Sequence, residues 1–349
     1  MTGFCEKTDI SLMNRNDSCA AQMSVVLVTP DSYENIRKTM EHLRAQTVPD
    51  QLEIVIVAPS LRALNFNISE FTLFGRVRVV EVGEIKSTGK AVASGVREAS
   101  APVVTYAEEH AHPDPGWAEA LIKAHRQSWA AVGAMIINAN PGNTISWANY
   151  FTDFGPFGEH AKAGEMSHLA WHNTAYKRGL LLEYGLELDA MLETEGVLHI
   201  DLHAKGYRLY LEPAAKTNHV NISLLSSYRT AQFYGARMFA ANRAWLGKWS
   251  IYRRLFYSCA MPLISLIRLK RVLRLIVGSG RAHELIPQIL PALIIGLIAD
   301  GFGQLTGYAF GAGAAAQRIV SFQLNRYQHI REQDRASRAV VAPAAWNAS

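Results

Sequence analysis

The apolar pattern begins with "MSVVLVTP" at Met23–Pro30, a continuous β-branched run of the kind found in strands buried on both faces. Asp31 and Ser32 follow and can cap a helix from Tyr33 to about Gln46, whose apolar residues Ile36, Met40 and Leu43 recur at spacings of three and four. "LEIVIVAPS" is a second buried strand and Arg76 to Val82 a third. Gly89 to Glu98 reads as a short helix, and "APVVTYAEEH" as a fourth strand. Strands alternating with helices predict right-handed βαβ units and a parallel sheet. In such a sheet the ligand sits beyond the carboxyl ends of the strands, and Glu108, Glu109 and His110 fall at one of those ends.

From about Ala130 to Val220 the pattern mixes short strands and loops. "TEGVLHIDLHAKG" is helical and stops at Gly206, a glycine suited to the position after a helix end; "YRLYLEP" is another strand. After about Ser223 the pattern changes. "SSYRTAQFYGARMFAANRAWLGKW" predicts an amphipathic helix carrying Arg229, Arg237 and Arg243. "LFYSCAMPLISLI" is too short to span a bilayer alone and, flanked by Arg and Lys, reads as an interfacial or tilted helix. The run from Leu285 to Ala316 is long enough to span if Asp300 and its glycines are tolerated; a buried helical hairpin is the other reading. The expected organisation is a tail at 1–22, an α/β domain at 23–225, amphipathic and membrane-associated helices at 226–330, and a loose tail at 331–349.

Composition narrows the function classes. The chain has 349 residues, 49% of them hydrophobic, enough for a sizeable core. Its three cysteines, Cys5, Cys19 and Cys259, are too few and too scattered for a disulfide framework or a zinc ribbon, which places the expected site of action on a reducing, cytosolic face. The first 22 residues hold no apolar core of a signal peptide. The net charge of +5 conceals an asymmetry: Tyr228 to Arg338 carries 16 Lys/Arg against 4 Asp/Glu, so the remainder is net acidic. The basic charges interleave with apolar runs rather than with a stacking platform, which favours membrane headgroups over nucleic acid as the anionic partner.

Four segments carry a resemblance. "SVVLVTPDSYENIRKTMEHLRAQTVPDQLEIVIVAPS", "GKAVASGVREASAPVVTYAEEHAHPDPGW" and "KGYRLYLEPAAKTNH", with the acidic pair region before the last, stand in the same order and at similar spacings as in the family-2 glycosyltransferases, over about Met23 to Arg243. The resemblance implies a GT-A fold, a Rossmann-like mixed sheet flanked by helices and followed here by the hydrophobic C-terminal helices. It also implies an inverting transfer of sugar from a nucleotide-sugar donor, here to a lipid-linked or membrane-proximal glycan acceptor, in polysaccharide or glycolipid assembly. The catalytic domain would be cytoplasmic and membrane-associated, with no nucleic-acid partner.

The resemblance also assigns residues. Family members hold a divalent cation with Asp-x-Asp after the fourth strand; the matching positions are Glu108 and His110, and His219 falls where a later histidine completes the metal shell. A nitrogen ligand moves the preference from Mg²⁺ towards Mn²⁺. By strand alternation Glu108 and His110 share a face while Glu109 points elsewhere, towards the donor side. A polar cluster that contacts diphosphate without metal is the alternative. The catalytic base maps to Glu195, with Glu193 as the neighbouring choice. Glu195, His199 and His203 also share one helical face and form a rival metal set. Thr29, Asp31 and Lys90 match donor-contacting positions, although Thr29 and Asp31 also suit helix capping. His172, Asn173 and Trp171 match the acceptor side, with Trp147 a second stacking candidate and Gln232 and Arg237 candidates to close over the diphosphate. One departure stands out: the second strand ends in Ala58-Pro59-Ser60, where the family usually carries aspartates that read the base. That departure motivates a second reading, a catalytically degenerate GT-A domain acting as a nucleotide- or glycan-binding accessory subunit.

Overall fold

A computed structural model describes residues 20–336; most of both expected terminal tails lies outside the described residues. In chain order the elements are β1 (Met23–Val28), α1 (Tyr33–Arg44), β2 (Leu52–Ala58), α2 (Leu61–Leu64), β3 (Arg76–Glu81), α3 (Thr88–Glu98), β4 (Val103–Ala107), β5 (Ala111–Pro113) and α4 (Trp117–Ala124). They continue as β6 (Ala131–Asn138), α5 (Thr144–Asp153), β7 (Gly164–Met166), β8 (Thr174–Lys177), α6 (Arg178–Leu182), α7 (Leu188–Glu193), α8 (Glu195–Ala204) and β9 (Leu209–His219). The C-terminal part is helical: α9 (Leu225–Leu246), α10 (Ile251–Cys259), α11 (Met261–Gly278), α12 (Ala282–Phe310) and α13 (Ala315–Leu324), followed by a 3₁₀ turn at Arg326–His329.

The strands form one mixed sheet in the order β3-β2-β1-β4-β8-β6-β9-β5, with β7 beside β9. β3, β2, β1 and β4 are mutually parallel, and β4 then meets antiparallel β8. The fold is GT-A-like: a Rossmann-like parallel half joined to an antiparallel half and flanked by helices. Strand alternation divides the core between the two faces. Val25 and Leu27 pack with α1 and α4 on one side; Val26 and Val28 pack with α3 and, further along, α8 and the C-terminal helices on the other.

Three departures from the sequence reading bear on the site. The fourth strand stops at Ala107, and the chain turns through Glu108–His110, with the Ala111 N–H donating to the Glu108 carbonyl at 3.2 Å. Alternation therefore does not govern where Glu109 points. β9 runs beyond Pro213 to His219, because a register shift opposite Ala134/Met135 absorbs the extra residues. Its far end pairs with β5, Ala111 opposite His219. Finally, residues 315–329, expected among the membrane-associated helices, return to the carboxyl end of β4.

Local signals behave as the physics dictates. α8 ends on Gly206 at φ +83°, where the Gly206 N–H reaches the His203 carbonyl and the Tyr207 N–H reaches that of Leu202. Ser32 occupies the N-cap position of α1, but its side chain makes no capping hydrogen bond; the Thr29 hydroxyl instead donates to the Ser32 carbonyl at 2.8 Å.

Candidate functional site

β4 sits where the parallel half of the sheet meets antiparallel β8, and the chain leaving it carries Glu108 into the opening between them. The β4–β8 register sets Thr105 opposite Ala175, and the Asn173 N–H continues the pairing to the Tyr106 carbonyl at 2.9 Å. Asn173 thus arrives beside Glu108 and donates to its Oε2 at 2.9 Å. His172 and Asn173 both lie in the left-handed region, at φ +60° and +52°. Two adjacent non-glycine residues held there mark a backbone constrained by its surroundings.

Glu108, His110 and His219 form the group whose ligand atoms converge, all within 4.8 Å of one another among the described residues, and all three are buried. His110 Nε2 lies 3.4 Å from Glu108 Oε1, His219 Nε2 lies 3.5 Å from Glu108 Oε2, and the two Nε2 atoms are 3.1 Å apart. Ligand atoms bonded to one ion at about 2.1 Å stand about 3.0–3.4 Å from their neighbours. These spacings fit the edges of such a shell.

The hydrogen bonds behind the rings decide the tautomers. A carboxylate only accepts, so His110 Nδ1 carries the proton it shares with Glu109 Oε2 at 2.9 Å. Asn221 Nδ2 is committed to Asn138 Oδ1 and to the His219 carbonyl, so Asn221 Oδ1 accepts from His219 Nδ1 at 3.1 Å. With Nδ1 the proton-bearing nitrogen in each ring, both rings aim Nε2 towards the Glu108 carboxylate. Three electron-pair donors facing one another repel unless a cation lies among them. Burial would push Glu108 up, but His110, His172 and His219 outweigh it and hold its carboxyl well below the usual range. Burial pushes His219 down to about 4, which keeps it neutral and able to ligate. Glu109 and Asn221 stand behind the two imidazoles and would orient them towards a cation.

Glu195 begins α8 with its carboxylate buried. Oε1 accepts from the His172 backbone N–H and from His172 Nδ1, each at 3.0 Å, and Oε2 accepts from the Tyr176 hydroxyl at 2.6 Å. Burial pushes the His172 imidazole down, but Glu108 and Glu195 overcome that and raise its pKa above the ordinary histidine value. Residues 172 and 173 thus bridge the two halves of the site, one bound to Glu195 and the next to Glu108. Glu193, the neighbouring choice, turns away. Its Oε2 accepts from Ser87 Oγ and from the Gly89 N–H at 2.7 Å, capping α3 from outside. Gly89 must be small here, since a Cβ would run into the Glu193 backbone.

The rival set Glu195, His199 and His203 is not assembled: His199 Nε2 meets the Tyr176 hydroxyl at 2.8 Å and His203 Nε2 meets the Met166 carbonyl at 3.1 Å. Trp147 is buried, with its indole donating to the Pro141 carbonyl and Arg281 over its ring, so it offers no stacking platform. Gln232 donates to Asp153 at the end of α5 and Arg237 to the Gly311 carbonyl, which commits both to protein partners rather than to a ligand. Thr29 is fully buried, Asp31 is exposed beside Asn35, and Lys90 is exposed on the first turn of α3. Trp171 is half-buried against Phe239 and Gly196, next to Glu195. Glu109, expected on the donor side, is buried behind His110.

Arg326 escaped the sequence reading. Its backbone N–H donates to Glu109 Oε1 at 3.0 Å, and its guanidinium is buried facing Glu108, Glu109 and Asp153. Burial outweighs those carboxylates and lowers its pKa, and its Nε has no hydrogen-bond partner. Gln323, one turn earlier, reaches His172 Nε2 at 3.3 Å, and the Tyr327 hydroxyl reaches His112 Nε2 at 3.2 Å. α13 and the turn after it therefore lie directly over the acidic cluster. The only available signal was a polar "QLNRYQH" following a long apolar stretch.

Residues 24–185 match the family model for glycosyl transferase family 2, a match that supports a transferase and includes Glu108, His110 and the His172–Asn173 bridge. Glu195, His219 and Arg326 lie beyond it. No curated protein sequence matches the chain. Among solved structures, a mannosyltransferase, PcManGT from Pyrobaculum calidifontis in complex with GDP-Man and Mn²⁺, is similar at 16% identity, with 91% of this chain and 83% of that chain covered and a TM-score of 0.46.

Proposed function

We propose that the chain is an inverting glycosyltransferase that takes a sugar from a nucleotide-sugar and passes it to a lipid-linked or membrane-proximal glycan acceptor, in polysaccharide or glycolipid assembly on the cytoplasmic face of a membrane. The observation that carries this reading is the convergence of Glu108 and two Nε2 lone pairs, from His110 and His219, beyond the end of β4. The donor set suits Mn²⁺ better than Mg²⁺, because two of its members are nitrogen. A divalent cation held there would neutralise charge developing on the leaving diphosphate.

The chain's own residues supply the rest. Arg326 presents a buried guanidinium with an unpartnered Nε, suited to a diphosphate oxygen. Glu195 takes the acceptor hydroxyl proton on its carboxylate, held in place by His172 on one oxygen and Tyr176 on the other. Asn173 fixes Glu108 so that its free lone pairs face the two imidazoles. Trp171 and His172 border Glu195 and would meet the acceptor. α13 and the Arg326 turn exclude water from the reacting centre.

One observation favours a second reading, a degenerate domain that binds nucleotide or glycan without turnover. β2 ends in Ala58-Pro59-Ser60, whose backbone is tied to Val82 and Gly83 and which itself supplies no carboxylate to read a base. A panel of UDP-, GDP- and dTDP-sugars with and without Mn²⁺ separates the two. Transfer or hydrolysis of any member supports the enzyme. Metal-independent binding of a nucleotide with no turnover would establish the accessory role.

A further inference from the structure

Thirteen of the 17 large hydrophobic side chains exposed among the described residues lie between Trp245 and Phe310. Twelve of them belong to α10, α11 and α12, with α12 antiparallel to the other two, and Trp245 lies at the end of α9. Arg254 Nε donates to the Tyr308 carbonyl at 2.7 Å, Ser258 to that of Leu305 at 3.3 Å and Ser265 to that of Leu297 at 3.2 Å, while Arg268 pairs with Asp300. The outer surface is apolar: Ile294, Ile298 and Phe302 line one face of α12 at four-residue spacing, with Leu263, Leu266 and Ile267 on α11 and Leu255 and Phe256 on α10.

α12 has 29 residues and is the one helix among those described that is long and apolar enough to cross a bilayer. Its inner face is already taken. A Cβ at Gly303 would run into the Phe233 carbonyl and one at Gly307 into that of Arg237, so α12 lies backbone to backbone along α9. α9 is in turn fastened to the catalytic half: Gln232 donates to Asp153 and Asn242 to Thr194, and Phe239 meets Trp171. Sinking α12 through a membrane would take α9, with Arg229, Arg237 and Arg243, into hydrocarbon.

We propose that α10, α11 and α12 dock in the plane of a membrane surface that carries anionic headgroups, with their apolar face among the acyl chains and no helix crossing the bilayer. This deepens the membrane-proximal reading above and rests on it. Charge selects the occupant. No acidic residue occurs between Glu212 and Glu284, whereas Lys270, Arg271 and Arg274 are exposed on α11, and Lys270 and Arg274 share a stripe with Leu266 and Val277. Pairing this face with that of a second copy would set those cations against each other, while anionic lipid complements both the apolar and the cationic parts.

The test is co-flotation of the full chain with vesicles of phosphatidylcholine alone or with phosphatidylglycerol added. The expected result is binding to the anionic vesicles that weakens with salt and is released by alkaline carbonate. Substituting Lys270→Glu, Arg271→Glu and Arg274→Glu together should lower binding at least about tenfold. Leu266→Ser with Ile267→Ser should lower it on both lipids. Unchanged binding by both variants, resistance to carbonate, or a dimer in ultracentrifugation with no vesicle binding would each overturn the proposal. Nucleotide-dependent thermal shift reports folding of the variants, and flotation needs no sugar transfer, so a failure here is separable from a failure of the catalytic reading.

Discussion

The Tyr176 hydroxyl donates to Glu195 Oε2 at 2.6 Å, and the direction of that bond is fixed from behind. The Leu169 N–H can only donate, so His199 Nδ1 accepts from it, at 3.4 Å, and Nε2 carries the ring proton. Nε2 then donates to the Tyr176 oxygen at 2.8 Å, and the tyrosine proton is left for Glu195. Burial pushes His199 down to about 4, which preserves this tautomer at neutral pH. Burial and Glu195 also raise the Tyr176 phenol well above its ordinary value, so it remains a donor. Tyr176→Phe should lower kcat about tenfold, the worth of one hydrogen bond to a charged group, with nucleotide affinity unchanged. Glu195→Gln should lower kcat by about 10²–10⁴-fold. Near-wild-type turnover in the Gln variant would remove Glu195 from the role of base. A dead Gln variant beside a fully active Phe variant would retain the base and discard the relay.

Behind His110, Glu109 makes the proposed metal site testable without touching any of the three candidate ligands. Its Oε2 holds the Nδ1 proton and so turns Nε2 towards Glu108. Glu109→Gln leaves the shape nearly intact but removes the carboxylate that sharpens this orientation. Mn²⁺ affinity measured by calorimetry should fall about 10- to 100-fold. His219→Ala should abolish it. Undiminished Mn²⁺ binding in both variants would place the cation elsewhere.

How much of this was legible depended on distance along the chain. The buried strands and α1 could be read because two-sided burial demands uninterrupted β-branched runs, as in "SVVLV" and "EIVIV". Glu108 and His110 were visible because a strand end and a turn lie within a few residues of each other. His219 was visible only through resemblance, since the register shift that carries β9 to it depends on pairing with β6. Glu109 was misplaced because alternation was applied past the last strand residue, into a turn where it has no force. Arg326 was invisible: its partner Glu109 lies 217 residues earlier, and no local pattern records a contact of that length. The apolar run "LFYSCAMPLISLI" was expected as one helix but is divided at Ala260, with Pro262 in the first turn of α11, where its missing N–H costs nothing.

Arg326→Ala removes the cation that faces Glu108 and Glu109. If the guanidinium meets the diphosphate, affinity for a nucleoside diphosphate should fall about 10- to 100-fold, the range of a charge-assisted bond. Affinity for the nucleoside alone should hold. Arg326→Lys should recover part of the loss but not all, because an ammonium cannot present the planar fork. Equal affinity of wild type and both variants for the diphosphate would leave Arg326 as a counter-charge for Glu109 alone.

The last prediction concerns stability against pH and rests on histidines away from the acidic cluster. His125 is buried with Nε2 donating to the Ala175 carbonyl at 3.1 Å, and burial pushes its pKa from 6.5 down to about 4. His199, in the relay, is held down to about 4 by the same cause. Between pH 6.5 and about pH 4 the unfolded chain therefore binds protons that the folded chain refuses. Stability contributed by these neutral rings is complete above 6.5, falls as the pH drops through that window and stops falling below about 4. Each ring contributes at most about 3 kcal/mol to the loss. Urea unfolding at a series of pH values, with chelator present so that metal release at His219 is not read, should show this decline. His125→Gln keeps a side-chain N–H for the Ala175 carbonyl but cannot titrate, so its decline should be shallower. A wild-type profile flat across the window, or a His125→Gln profile as steep as wild type, would show that these rings do not govern the acid limb.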